Sequence, residues 1–167
     1  MEKNIALVGF MGSGKTMIAR RLSEHLKVEL LSTDVLIETK AGKSIDAIFK
    51  DHGEPYFRDL EAEIVKEVSL RRGIIIDCGG GVVLRPQNLQ ELKSNAIVFY
   101  LQATPEVIFE RIKNEKHRPL LQVPDPLGFV RKLYQQRLPL YSQAHYTIDA
   151  NDASIEGPVV EILKRMS

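Results

Sequence analysis

A single cysteine, Cys78, among 167 residues excludes an intrachain disulfide and any metal site built from several cysteines, and it fits a reducing cytoplasm. Standing alone, Cys78 reads as a small buried apolar residue. Excess charge of either sign is also missing: 23 Lys plus Arg balance 22 Asp plus Glu, for a net charge of +1. Composition therefore supports neither a nucleic-acid footprint nor a surface drawn to acidic membranes. No apolar run approaches bilayer-spanning length, and the first residues hold Glu2 beside a strand candidate rather than a basic segment followed by a signal-type stretch. A soluble, unprocessed, cytoplasmic protein is expected. No internal repeat, low-complexity tract or flexible linker divides the chain. Its length suffices for one buried core, so residues 1–167 are read as a single domain. An Asn-Lys-x-Asp guanine motif is absent too, which leaves a GTPase-type switch without support. The partner that survives these exclusions is a small molecule.

What is present concentrates at residues 9 to 16. They read Gly-Phe-Met-Gly-Ser-Gly-Lys-Thr, a complete G-x-x-x-x-G-K-T/S phosphate loop between the apolar run Ile5-Ala6-Leu7-Val8 and a helical pattern. Gly9, Gly12 and Gly14 let the backbone turn successive N–H groups toward an anion, and the helix that follows adds its positive end. Lys15 is expected to reach the β- and γ-phosphates and the Thr16 hydroxyl to take a magnesium ion. Nucleotide contacts are accordingly assigned to Gly12, Ser13, Gly14, Lys15, Thr16 and Met17.

Short apolar runs at 5–8, 28–31, 74–76, 96–101 and 146–148 alternate with segments of helical periodicity. Near-continuous apolar strands separated by helices predict an α/β fold: three α/β/α layers around a five-stranded parallel sheet, with ligands at the strands' carboxyl ends. In the first helix, Ile18, Leu22 and Leu26 form the buried stripe. Between the second and third strands, helical stretches over 35–40, 44–50 and 54–71 exceed what a simple crossover needs. They form either a substrate-binding insertion, about 33–61, or extra covering helices. A second irregular region holds Lys116-His117-Arg118-Pro119 and reads as a mobile basic loop.

Phosphoryl transfer needs cations around the migrating group and a residue that orients and deprotonates the acceptor. Asp34, at the end of the second strand, is placed either to take a proton from a substrate hydroxyl or to cap the next helix. Arg58, in Gly53-Glu54-x-x-Phe57-Arg58, either forks onto a carboxylate or pairs at the surface with Glu54 or Glu61. Gly79-Gly80-Gly81 follow a strand, where three glycines let a ligand touch the main chain. Arg118 and Arg137 are further cations within reach of phosphate or carboxylate.

Taken together, the chain resembles the shikimate kinases of the nucleoside monophosphate kinase branch of phosphate-loop proteins. The likeness rests on Gly9 to Thr16, Thr33-Asp34, Gly53-Glu54-x-x-Phe57-Arg58, Gly79-Gly80-Gly81, Arg118-Pro119-Leu120-Leu121 and Arg137-x-Pro139-Leu140-Tyr141, in the family's order and spacing. The resemblance implies transfer of the ATP γ-phosphate to the 3-hydroxyl of shikimate, with ATP and Mg2+ required, by a monomer acting in aromatic amino-acid biosynthesis. It implies that Asp34 is the base, that Arg58 and Arg137 hold the substrate carboxylate, and that Gly80 and Gly81 make main-chain contacts. Arg118 becomes the arginine of a lid at about 112–124, catalytic together with Lys15 and Asp34, and Arg111 stacks on adenine. A gluconate-type kinase or a non-catalytic nucleotide-binding homologue are the competing functions.

The likeness breaks at two places. Where the family usually carries Asp-x-Asp, this chain reads Ser32-Thr33-Asp34, and the carboxylate associated with magnesium is missing. Asp77 closes the run Ile74-Ile75-Ile76 in the form of a strand-end metal carboxylate. Asp77 either replaces the missing carboxylate from the neighbouring strand, which makes the expected metal set Thr16 and Asp77, or only caps or hydrogen-bonds the glycine loop. The loop Asp149-Ala150-Asn151-Asp152-Ala153 also departs from the basic residues and proline that relatives often place beside adenine.

Overall fold

The computed structural model describes residues 2–115, 118 and 121–167. Lys116 and His117 of the basic loop, and Pro119 and Leu120 of the Arg-Pro-Leu-Leu motif, lie outside the described residues. Five strands, β1 (Asn4–Val8), β2 (Leu30–Ser32), β3 (Ile75–Asp77), β4 (Ala96–Gln102) and β5 (Tyr146–Asp149), form one sheet in the order β2-β3-β1-β4-β5. Every pairing is parallel, so the expected α/β architecture is present.

Burial on both faces explains why the strands read as unbroken apolar runs. Side chains alternate across a strand. In β1, Ile5 and Leu7 pack with Ile18 and Leu22 of helix α1 (Lys15–Leu26) and with Val159 and Ile162 of helix α8 (Glu156–Met166). Ala6 and Val8 face the opposite layer, which holds Ile64, Val65 and Val68 of helix α4 (Glu54–Ser69) and Tyr134 and Tyr141 of helix α7 (Pro126–Tyr141). All four β1 side chains are fully buried.

The second strand starts at Leu30, not at Val28. Lys27 closes α1 with a left-handed backbone at φ 56°, and Val28 N–H donates to the Ser23 carbonyl at 3.3 Å. Val28 thus belongs to the helix stop, and its apolarity was a poor guide to strand onset. The third strand continues through Asp77, one residue beyond its apolar run.

Helices α2 (Thr33–Ala41) and α3 (Ile45–His52), with the first turns of α4, fill the connection between β2 and β3. The latter half of α4 covers the sheet. Helix α5 (Pro86–Asn95) leads into β4, and helix α6 (Pro105–Ile112) follows it. Because every strand runs the same way, all five carboxyl ends open on one rim. The phosphate loop leaves β1 there, Asp34 follows β2, the glycine triplet follows β3, and residues 149–153 follow β5. β1 lies between β3 and β4, where the strand order turns, and an open α/β sheet forms its crevice at that point.

Candidate active site

Gly14 is the N-cap of α1, with φ 95° and no side chain bonded over the helix end. A left-handed residue without a Cβ leaves the first-turn N–H groups of α1 open to an anion. Lys15 begins the helix, and its Nζ donates to the carbonyls of Gly9 at 2.8 Å and Phe10 at 3.0 Å. An ammonium has three donors, so one remains for a phosphate oxygen. Burial pushes the Lys15 pKa down, opposed by the charges of Asp77 and Asp34. Thr16 Oγ1 donates to Asp77 Oδ2 at 2.7 Å.

Gly12, Gly14, Lys15, Thr16, Met17, Ser32, Asp34, Asp77, Cys78, Gly80 and Arg118 line one cleft of about 370 Å³. A second, of about 290 Å³, is lined by Asp34, Arg58, Gly80, Gly81, Arg118 and Arg137, with Met11, Ile45, Phe49 and Phe57 as its apolar wall. Asp34, Gly80 and Arg118 belong to both. The two clefts therefore meet at a carboxylate, a stretch of bare main chain and a guanidinium.

The helix-cap role considered for Asp34 falls to Ser32, whose Oγ accepts from Val35 N–H at 3.4 Å. Asp34 sits in the first turn of α2. Burial raises its pKa, and Lys15 partly offsets this.

Arg58 is paired with both glutamates that its spacing offered, at 2.8 Å from Nη1 to Glu61 and 3.3 Å from Nε to Glu54. It is nonetheless no surface residue: its side chain is 13% exposed and that of Glu61 1%. A Cβ on Gly81 would lie 2.4 Å from the Arg58 guanidinium nitrogens, so glycine is what lets the arginine lie flat on the main chain. Glu61 is the cleft residue that sequence reasoning missed. Its spacing suggests a surface partner of Arg58, yet it lies on the buried stripe of α4 with Phe57, Ile64, Val65 and Val68, and that helical periodicity is the signal that marks it. Burial raises the Glu61 pKa against the pull of Arg58, and its second carboxylate oxygen has no partner among the described residues.

Arg137, on α7, comes to the same cleft. Its buried Nε is also unpartnered among the described residues, and its guanidinium lies 5.6 Å from the Phe10 ring centre. One turn later Tyr141, stacked on Tyr100, donates its hydroxyl to the Gly80 carbonyl at 2.5 Å. That bond fixes the orientation of the Gly80–Gly81 peptide, since the peptide unit is planar.

Arg118 pairs through Nε with Glu115. Arg111 Nη2 donates to the carbonyls of Ala150 at 2.8 Å, Asn151 at 3.2 Å and Asp152 at 2.9 Å, while Nη1 reaches Gly12 O at 3.3 Å. Together with Ser13, Gly14 and Met17 it lines a third, smaller hollow beside residues 150–155. Cys78 is buried, as its composition suggested, but it also lines the first cleft. Burial pushes its thiol pKa up.

The rim thus joins a phosphate cradle to a pocket with three arginines, one of them shared with the cradle, across a carboxylate able to accept a proton. Comparison with known proteins agrees with that chemistry. The family model described as shikimate kinase matches residues 11–167. A shikimate kinase from Caldanaerobacter subterraneus is 44% identical over 97% of this chain and 95% of its own length. A solved shikimate kinase from Acinetobacter baumannii, in complex with shikimate, is 39% identical with a TM-score of 0.93, covering 99% of this chain and 93% of that one. A gluconokinase structure from Sinorhizobium meliloti shares the fold alone, at 14% identity and a TM-score of 0.59 over 98% of this chain and 90% of that one.

Proposed function

We infer the reaction from one premise: the chain belongs to the shikimate kinase family. It transfers the γ-phosphate of ATP to the 3-hydroxyl of shikimate, giving ADP and shikimate 3-phosphate. One observation carries this reading. Asp34 stands on the wall shared by both clefts, while Arg58 and Arg137 line only the second.

The phosphates of ATP lie against the N–H groups that open α1, with Lys15 on the β- and γ-oxygens. The shikimate carboxylate binds between Arg58 and Arg137, and Gly80 and Gly81 let the ring approach the main chain. This sets the 3-hydroxyl against Asp34. Its proton passes to the Asp34 carboxylate as its oxygen bonds to the γ-phosphorus and the bond to the ADP oxygen breaks. Lys15 and Arg118 offset the charge that accumulates on the migrating group. Residues 33–61 act as the acceptor-binding part and 112–124 as the lid of one kinase domain. Arg111 borders the adenine side.

Magnesium fits the donors present, because Thr16 and Asp77 offer hard oxygens and Mg2+ commonly takes only one or two protein ligands beside phosphate and water. Held by Thr16 and Asp77, it would supply positive charge against the phosphates. The same reading makes the enzyme a cytoplasmic monomer. The lone cysteine and balanced charge support it, as does a set of site residues carried on one chain.

A coupled assay of ADP release with shikimate, with gluconate and with no acceptor tests the assignment. Shikimate-dependent release is expected; equal release without acceptor would overturn it. Glu61→Gln removes the buried charge that steadies Arg58, and the KM for shikimate is expected to rise about tenfold or more. The KM for ATP should stay within twofold, and steady-state kinetics with each substrate varied reads both.

A further inference from the structure

The missing acid at Ser32 has a counterpart one strand away. Ser32 and Asp77 are register partners in the parallel pair of β2 and β3, and paired strands lie about 4.8 Å apart. A carboxylate on Asp77 therefore enters the rim beside the place where one on residue 32 would stand. β3 is also the neighbour of β1, with Asp77 opposite Leu7, so Asp77 approaches the phosphate loop from the adjacent strand. Its side chain is mostly enclosed, the residue being 6% exposed, but it lines the first cleft together with Lys15, Thr16 and Asp34.

The contact with Thr16 decides what this carboxylate does. A threonine hydroxyl has one hydrogen and two lone pairs. In this structure the hydrogen is committed to Asp77 Oδ2, at 2.7 Å. The lone pairs are thereby turned away from the carboxylate, and a hydroxyl held in this way is oriented to donate to a cation while still bonded to Asp77. Ser32 does something else: its oxygen accepts from Val35 N–H and serves the end of α2. Among the described residues no group of three or more acidic, histidine or cysteine side chains could hold a metal alone. A metal at this rim would therefore need oxygens from the nucleotide besides those of Thr16 and Asp77.

We propose that Asp77 is the carboxylate of the magnesium site in this chain, supplying from β3 the charge that Ser32 does not supply from β2. It acts on the ion by orienting Thr16 and by its negative charge. The inference rests on the phosphotransfer reading above only in requiring a nucleotide.

The direct test is Mn2+ binding to the protein with ADP, read from the free-ion signal in electron paramagnetic resonance. Asp77→Asn is close to isosteric, and metal-free ADP binding checks that each variant keeps a folded phosphate loop. Asp77→Asn is expected to weaken Mn2+ binding about 10- to 100-fold with metal-free ADP affinity unchanged. The double variant Ser32→Asp/Asp77→Asn, with the charge moved across the strand pair, is expected to recover most of the loss. Mn2+ binding to Asp77→Asn within twofold of wild type would overturn the proposal, as would a double variant no better than the single one. Failure of the acceptor assignment is distinguishable from this. Wild-type protein that turns over no shikimate while Asp77→Asn loses Mn2+ leaves the metal assignment standing and removes only the substrate.

Discussion

Asp34→Asn is expected to cut kcat for shikimate phosphorylation by about 10²- to 10⁴-fold, the range of a positioned general base. Asparagine keeps the shape and can still hydrogen-bond a hydroxyl, but it takes no proton. Shikimate binding should therefore change far less than turnover. The pH dependence follows from the site. Burial raises the Asp34 pKa above its ordinary 3.8, with Lys15 pulling it back. Wild-type turnover should thus decline on acidification with an apparent pKa above that value, and Asp34→Asn should lose that limb. The stability consequence has the opposite sense from a salt-bridged carboxylate. With the folded pKa raised, the contribution of Asp34 to stability is fully present below 3.8 and is lost as pH rises through the folded value. Charged Asp34 is a cost to the fold at neutral pH. Asp34→Asn is then expected to melt at or above the wild-type temperature at pH 7, with the difference shrinking toward pH 4. A kcat within tenfold of wild type would remove Asp34 from the role of base.

Arg118→Ala is expected to lower kcat by about 10³-fold, in the range measured for arginines that meet a migrating phosphoryl group. Arg118 lines both clefts, so its guanidinium can follow charge from the nucleotide side toward the acceptor. In this structure its Nε is paired with Glu115, a partner carried close by in the chain. An exchange of that partner for phosphate costs little, because a partly exposed ion pair contributes only modestly to stability. Arg118→Lys should recover part of the loss, since lysine supplies charge without the planar fork. Single-turnover rates with saturating ATP and shikimate separate this from weakened binding. A defect confined to the KM for ATP would assign Arg118 to nucleotide retention instead of the chemical step.

How far the sequence led depended on where each feature is encoded. β1 and β4 were legible because strands covered on both faces must be apolar throughout. The phosphate loop was legible because its glycines and Lys15 are required by geometry within eight consecutive residues. Val28 misled because a helix stop and a strand start both tolerate an apolar residue, and the left-handed turn at Lys27 has no marker as strong as glycine. Glu61 was hidden for a different reason. It lies on the apolar stripe of α4, with a side chain only 1% exposed, but a carboxylate is read as solvated until a buried partner such as Arg58 is seen. The cap at Ser32 was equally ambiguous, since serine and aspartate at neighbouring positions both suit an N-cap and only the folded backbone distinguishes them.

The bonds of Arg111 have a consequence for the loop that they hold. Its guanidinium gathers carbonyls from Gly12, Ala150, Asn151 and Asp152, and a carbonyl is the same atom whichever side chain the residue carries. One residue on α6 thus holds the path of the loop after β5. The composition of that loop is correspondingly released, so Asp149-Ala150-Asn151-Asp152-Ala153 can drift while the hollow keeps its outline. The outline of that hollow is thereby set from a position outside the loop.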